Sequence, residues 1–214
     1  QLGGATESLG YYSEYRYNRS QIDATALLNA DYRVSDFSIN AVAGWNLNQR
    51  SYGYSGGYVD GLAVADWYSL YNTSSSAVSV TYKELRRLIG AFAQAELGYK
   101  DMMFLNLSGR NDWSSALVYA NRTGNHSYFY PSVSGSWLIN ETFRESMPSW
   151  INLAKLRASW AQVGNDTDPY AVNQTYSFAT MEMYDGNIYT NELDKLMKIA
   201  DLKPERKNSW EIGL

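Results

Sequence analysis

The chain has 214 residues and a formal net charge of −4 with no Lys/Arg cluster, which argues against a nucleic-acid partner. It lacks Cys, excluding disulfides and thiolate metal sites, and carries 19 Tyr and 7 Trp at a mean hydropathy of −0.42. No apolar run approaches the roughly 18 residues of a membrane-spanning helix.

The start, QLGGATESLG, has neither the basic head nor the apolar stretch of a signal peptide. The finish, WEIGL, stops within an alternating pattern, so the chain reads as a piece of a larger protein. Between them lie six long runs of alternating character, with a seventh beginning at the C-terminus. Side chains alternate across a strand with period two, so each run has an oily and a polar side.

The first run, IDATALLNADY, puts Ile22, Ala24, Ala26, Leu28, Ala30 and Tyr32 opposite Asp23, Thr25, Asn29 and Asp31. A short turn around Ser35 leads to FSINAVAGWNLN, with Phe37, Ile39, Ala41, Ala43, Trp45 and Leu47 on the oily side. A long loop is expected over 49–84. Its Tyr, Gly and Trp residues single out Tyr52, Tyr54, Tyr58, Trp67 and Tyr68 as candidates for contact with a ligand or a protein partner, because aromatic faces stack on sugars and adapt to protein surfaces. The alternative is self-packing of the loop. Val64, Trp67 and Tyr71 recur at helical spacing, which predicts a short helix within it.

The third and fourth runs form a hairpin around Lys100–Asp101. Ala91, Ala93, Ala95, Leu97 and Tyr99 share the oily side with Met103, Leu105 and Leu107. Gln94, Glu96, Arg110 and Asp112 lie on the polar side. After a loop over 114–127, YFYPSVSGSWLI sets Phe129, Val133, Trp137 and Ile139 against a row of serines. NETFRESMPSWIN has room for one helical turn ended by Pro148. The sixth run, LAKLRASWAQVG, places Lys155 and Arg157 on the polar side, followed by a long connection over 165–206.

Runs of about 10 residues suit tilted transmembrane strands, whereas strands of globular domains average about 5–6. Short and long connections alternate, as in outer-membrane barrels. The rings of Tyr32, Phe37, Tyr99 and Trp137 fall at the short-turn ends, and those of Trp45, Phe129 and Trp160 at the other ends, as aromatic girdles do. The reading is an all-β, antiparallel transmembrane barrel wall whose oily side meets outer-membrane lipid and whose polar side lines a lumen. The competing reading is a soluble secreted β-sandwich that binds glycans, though Ala-rich faces fill a shared core poorly.

Four strings then carry a resemblance. GYKDMMFLNLSGRNDWSS (98–115), YFYPSVSGSWLINETF (128–143), WINLAKLRASWAQVGN (150–165) and LKPERKNSWEIGL (202–214) resemble, in order, blocks of the SusC/RagA-type TonB-dependent transporters. Trp113, Tyr130, Ala154, Trp160 and Ala161 depart from the family pattern, while Lys155, Leu156, Arg157, Gly164 and Asn165 keep it. The resemblance implies a barrel of about 22 strands, of which residues 1–214 supply roughly seven, in the outer membrane of a Bacteroidetes-like bacterium. It also implies a SusD-like lipoprotein lid, and TonB acting through parts outside this chain. The cargo would be oligosaccharides or oligopeptides, with no enzymatic step.

Arg110 and Asp112 are then candidates for the substrate path, a plug contact or a structural ion pair. Lys155 and Arg157 would meet plug carboxylates or Glu96. The acids of GNDTDPY lack a full calcium-loop signature, so no metal or other cofactor is expected. His126, the single His, has no triad around it.

Overall fold

The computed structural model describes residues 10–73, 76–148, 150–183, 186–193, 198 and 201–214. Nine strands are present among them: β1 (Tyr11–Val34), β2 (Phe37–Asp60), β3 (Val78–Tyr99), β4 (Met103–Ser114), β5 (Ser127–Leu138), β6 (Lys155–Asn165), β7 (Tyr176–Met183), β8 (Gly186–Leu193) and β9 (Glu205–Gly213). Seven form one sheet in the order β1-β2-β3-β4-β5-β6-β9, and β7 and β8 pair as a separate antiparallel hairpin. The chain divides into two compact units. The first is drawn from Gln1–Ile22 and Gln49–Leu85, the second from Asp23–Asn48 and Arg86–Leu214. Each is described by itself.

In the second unit, β3 to β6 and β9 run antiparallel in uninterrupted register. Gln94 lies opposite Ser108, Leu105 opposite Gly135, Trp137 opposite Leu156 and Trp160 opposite Trp210. The pleat therefore carries the alternation of each strand across the sheet, and the oily residues form one continuous face. Met103, Leu105 and Leu107 on that face are about 40% exposed and Phe129 is 53% exposed. No second sheet covers them among the described residues, so the two-sheet sandwich with a shared core is not the architecture.

Rings mark both margins of this face. Phe37 packs on Tyr99 at 4.9 Å and Trp137 on Phe143 at 6.1 Å at the short-turn end. Trp160 packs on Trp210 at 6.0 Å. What is buried instead is a small cluster of Leu117, Tyr128 and Val172, packed against Tyr119, Tyr130 and Leu202 beneath the long connections.

The turns are tight for identifiable reasons. Lys100 and Asp101 both have positive φ, 52° and 57°, and Met102 N–H donates to Tyr99 carbonyl at 3.0 Å, which is a two-residue hairpin turn of type I′. Ser35, between β1 and β2, also has positive φ. The ion pairs Arg33–Asp101 and Lys100–Asp36 link these two turns. The Tyr99 side chain and then the Asp36 carboxylate hold the Lys100 ammonium above the ordinary lysine range. After β5 comes the single helical turn α1 (Ile139–Thr142). It stops at Phe143, five residues before Pro148, where the Thr142 hydroxyl meets Trp137 Nε1 at 2.7 Å.

Three sequence expectations need correction. The loop expected over 49–84 is strand at both ends, since β2 runs to Asp60 and β3 starts at Val78. Tyr52, Tyr54 and Tyr58 therefore sit on β2, and only Trp67 and Tyr68 lie in the connection. The helix expected around Val64, Trp67 and Tyr71 is absent, and Asp66 takes a left-handed φ of 60° instead. The connection over 165–206 holds the β7–β8 hairpin.

Candidate transport face

Within the second unit the polar side of the sheet is a set of short side-chain bridges. The Glu96 carboxylate accepts from Asn106 at 2.9 Å and from Asn40 at 3.4 Å, and Gln94 donates to Asn106 at 3.2 Å. Ser108 and Ser132 hydroxyls meet at 2.7 Å. Each bridge spans neighbouring strands, because residues opposite one another on one face approach closely.

At the long-connection end the bridges become charged and buried. Arg110 Nε donates to Asp112 at 2.7 Å, and the Tyr130 hydroxyl donates to the other oxygen of the same carboxylate. Arg110 also lies over the Phe92 ring, 5.5 Å from its centre. Gly90 makes this arrangement possible, since a Cβ there would collide with both Arg110 and Asp112. Farther along, Asp166 takes both the Arg86 guanidinium and the Ser114 hydroxyl, with its side chain only 2% exposed. A carboxylate this buried is stable only while paired. Asp166 therefore fastens the start of the long connection to β3 and β4.

At the short-turn end a hollow of about 470 Å³ opens between Glu96, Asn106, Ser136, Lys155, Arg157 and Glu211. Arg157 pairs with Glu211 at 2.8 Å, and Lys155 makes no ion pair among the described residues. Three of the six polar-face candidates, Glu96, Lys155 and Arg157, thus line one concavity. Arg110 and Asp112 form a separate pair, and Gln94 joins the amide bridges. Sequence reasoning missed Arg86, Ser114, Tyr130, Asp166 and Glu211. Arg86 and Asp166 are 80 residues apart and no local pattern links them.

The aromatic candidates lie in the first unit and separate into two groups. Tyr52 and Tyr54 belong to a chain of rings on β1–β3. Tyr54 stacks on Tyr82 at 5.5 Å and touches Tyr17 at 5.7 Å and Tyr15 at 6.1 Å, while Tyr52 lies 6.2 Å from Tyr54. Tyr58 stacks on Tyr11 at 5.9 Å.

Trp67 and Tyr68 sit on the connection after β2, shaped around Asn72. That side chain, 1% exposed, accepts from Val64 N–H at 2.9 Å and donates to the Val64 and Trp67 carbonyls. With its polar backbone groups satisfied this way, the loop leaves Trp67 51%, Tyr68 62% and Tyr71 89% exposed. Among the described residues no group of three or more His, Cys, Asp or Glu could hold a metal ion.

One long, uncovered apolar face, ringed margins and a bridged polar face describe a barrel wall, and comparison with known proteins agrees. The family model for the TonB dependent receptor-like β-barrel matches residues 2–214. The chain belongs to this family. It is 40% identical over 81 residues to TonB-dependent receptor P26 of Formosa agariphila, covering 37% of this chain and 8% of that protein.

Among solved structures it is similar to the RagAB peptide transporter, with a TM-score of 0.81 at 16% identity over 94% of this chain and 22% of the other. It is also similar to the RagAB peptide importer in its "closed-closed" and "open-open" states, with TM-scores of 0.80 and 0.77. At that identity the likeness shows the fold alone, a segment of a barrel wall of this kind. The chain spans less than a quarter of the length of these relatives.

Proposed function

We propose that the chain is wall and outer loop of an outer-membrane importer driven through TonB, which takes up oligomeric nutrients without altering them. The observation that carries this is the division of one sheet into two environments. The uncovered face of Met103, Leu105 and Leu107 suits acyl chains, and the bridged face of Gln94, Asn106 and Ser132 suits a watery passage. A closed wall leaves no backbone donor unpaired in lipid, and that requirement suits the continuous register from β3 to β9. On this plan residues 1–214 act as one segment of the wall.

In this reading the bridged residues keep the passage polar and hold its shape. Lys155, Arg157 and Glu96 present charge where the plug of such a transporter docks. The long connections are extracellular, as in other outer-membrane barrels, so Trp67 and Tyr68 are offered to a SusD-like surface lipoprotein. Tyr52 and Tyr54 are offered to cargo. The neighbours named as peptide importers support oligopeptide as one cargo class, and the exposed rings support oligosaccharide as the other.

The test is uptake in the source bacterium with the gene intact, deleted, or intact in a strain lacking TonB. Growth on an oligomeric nutrient should be lost in both altered strains and restored by the full-length gene. Uptake unaffected by loss of TonB would sink the importer reading.

A further inference from the structure

Four arginines of the second unit are paired, whereas two that share a hollow in the first are not. In the second unit Arg33, Arg86, Arg110 and Arg157 each pair with a carboxylate. In the first, Arg19 and Arg50 are exposed and make no ion pair with any described residue. Arg19 instead lies over Tyr52, its guanidinium carbon 5.0 Å from the ring centre. Together with Gln21, Ser51, Tyr52 and Glu84 the two arginines line a hollow of about 400 Å³. The rings of Tyr15, Tyr17, Tyr54 and Tyr82 continue from Tyr52 along the same three strands at spacings of 5.5–6.4 Å. Tyr17 is 62% exposed and Tyr82 38%.

We infer that this face binds an acidic oligosaccharide, one bearing carboxylate or sulfate groups, with Arg19 and Arg50 on its anions and the tyrosines beneath its sugar rings. The chemistry divides between the two kinds of group. Guanidinium presents a planar fork of N–H donors that matches the oxygens of carboxylate or sulfate two at a time. Held on the Tyr52 ring, the Arg19 guanidinium loses less freedom on binding than a free side chain would.

Tyrosine rings give wide flat contact at low entropic cost, which suits the apolar faces of successive sugars rather than one side chain of a peptide. Glu84, which accepts from the Tyr82 hydroxyl at 2.9 Å, lines the same hollow as a carboxylate that the ligand's own anions must avoid. This inference rests on the importer reading and narrows its cargo.

The test uses the full-length transporter purified in detergent, titrated calorimetrically with tetragalacturonate, a chondroitin sulfate tetrasaccharide, cellotetraose and an acidic hexapeptide. One or both acidic glycans should bind at least tenfold more tightly than cellotetraose and the peptide, and weaken as salt is raised. The double variant R19Q/R50Q should lose tenfold or more of that affinity while leaving cellotetraose binding unchanged. Y54L should weaken acidic and neutral glycans together. Retention of the heat-resistant folded band on gels confirms that each variant has assembled.

Equal affinity for cellotetraose, tighter binding of the peptide, no binding of either acidic glycan, or an unchanged R19Q/R50Q would each overturn the inference. TonB-dependent uptake of a neutral glycan or a peptide would then leave the importer standing with its cargo reassigned. Absence of any TonB-dependent uptake would remove the importer itself.

Discussion

The polar faces of the two units differ in how their side chains are satisfied. In the second unit much of the charge on that face is paired within the protein. Asp166 holds Arg86 and Ser114, Asp112 holds Arg110 and Tyr130, and Glu96 holds two asparagines. In the first unit rings touch rings, and two exposed guanidiniums make no ion pair with any described residue, although Glu84 lines the same hollow. A surface whose groups are mutually satisfied resists deformation, whereas one with unspent donors is prepared for something from outside. Charge alone does not mark a binding site; unpaired charge beside a row of exposed rings is the stronger sign.

Breaking that contrast begins with the most buried pair. Asp166→Ala should cost about 3–5 kcal/mol, because it strands the Arg86 guanidinium. The loss should appear in urea titrations of the folded full-length protein in lipid. Second comes the comparison between faces of one strand. Ala93→Arg should cost about 2–4 kcal/mol by exposing a cation to lipid, while Gln94→Arg beside it is mild. Equal tolerance at the two positions would count against a lipid-facing wall.

Asn72→Ala should cost about 1–3 kcal/mol by leaving the Val64 and Trp67 backbone groups unpaired, detected as faster proteolysis of the loop with the barrel intact. Replacing Lys100–Asp101 by Asn-Gly should change stability by less than about 1 kcal/mol in urea titrations, since better tolerance of the left-handed conformation is offset by loss of the exposed Arg33–Asp101 and Lys100–Asp36 pairs. The smallest effect sharpens the contrast most. Arg50→Gln should change stability by less than about 0.5 kcal/mol, as expected for a surface group that holds nothing.

The wall strands were legible in the sequence to within a residue or two. There one side of the pleat meets an apolar medium and the other a polar one, so period two is written into the residue types, as in Ala93–Gln94–Ala95–Glu96. The outer parts of β1, β2 and β3 were not. YYSEYRYNRS and SYGYSGGYVD mix Tyr, Ser and Gly on both sides, which erases the contrast that alternation depends on. Gly53, Gly56 and Gly57 also read as breakers, although each lies within β2.

The helical spacing of Val64, Trp67 and Tyr71 misled for a related reason. Two rings and a valine at that interval also arise in a loop that displays them, and Asn72, whose side chain bonds the Val64 and Trp67 backbone, sits outside the pattern. Of the polar face, the strand positions of Glu96, Arg110 and Arg157 could be foreseen. The Arg110–Asp112 pair was open to foresight, but the Arg157–Glu211 and Arg86–Asp166 pairs were not, because each joins residues 54 to 80 positions apart that meet only through the folded sheet.

That order leaves β1 and β9 as the two borders of the seven-strand sheet. Along each border runs a file of peptide groups that hydrocarbon cannot hydrate, at several kcal/mol apiece. Such a ribbon has no stopping place halfway into a bilayer. If the proposed importer reading holds, insertion of this stretch is expected to depend on other strands pairing with both borders, so that its assembly is tied to closure of a barrel.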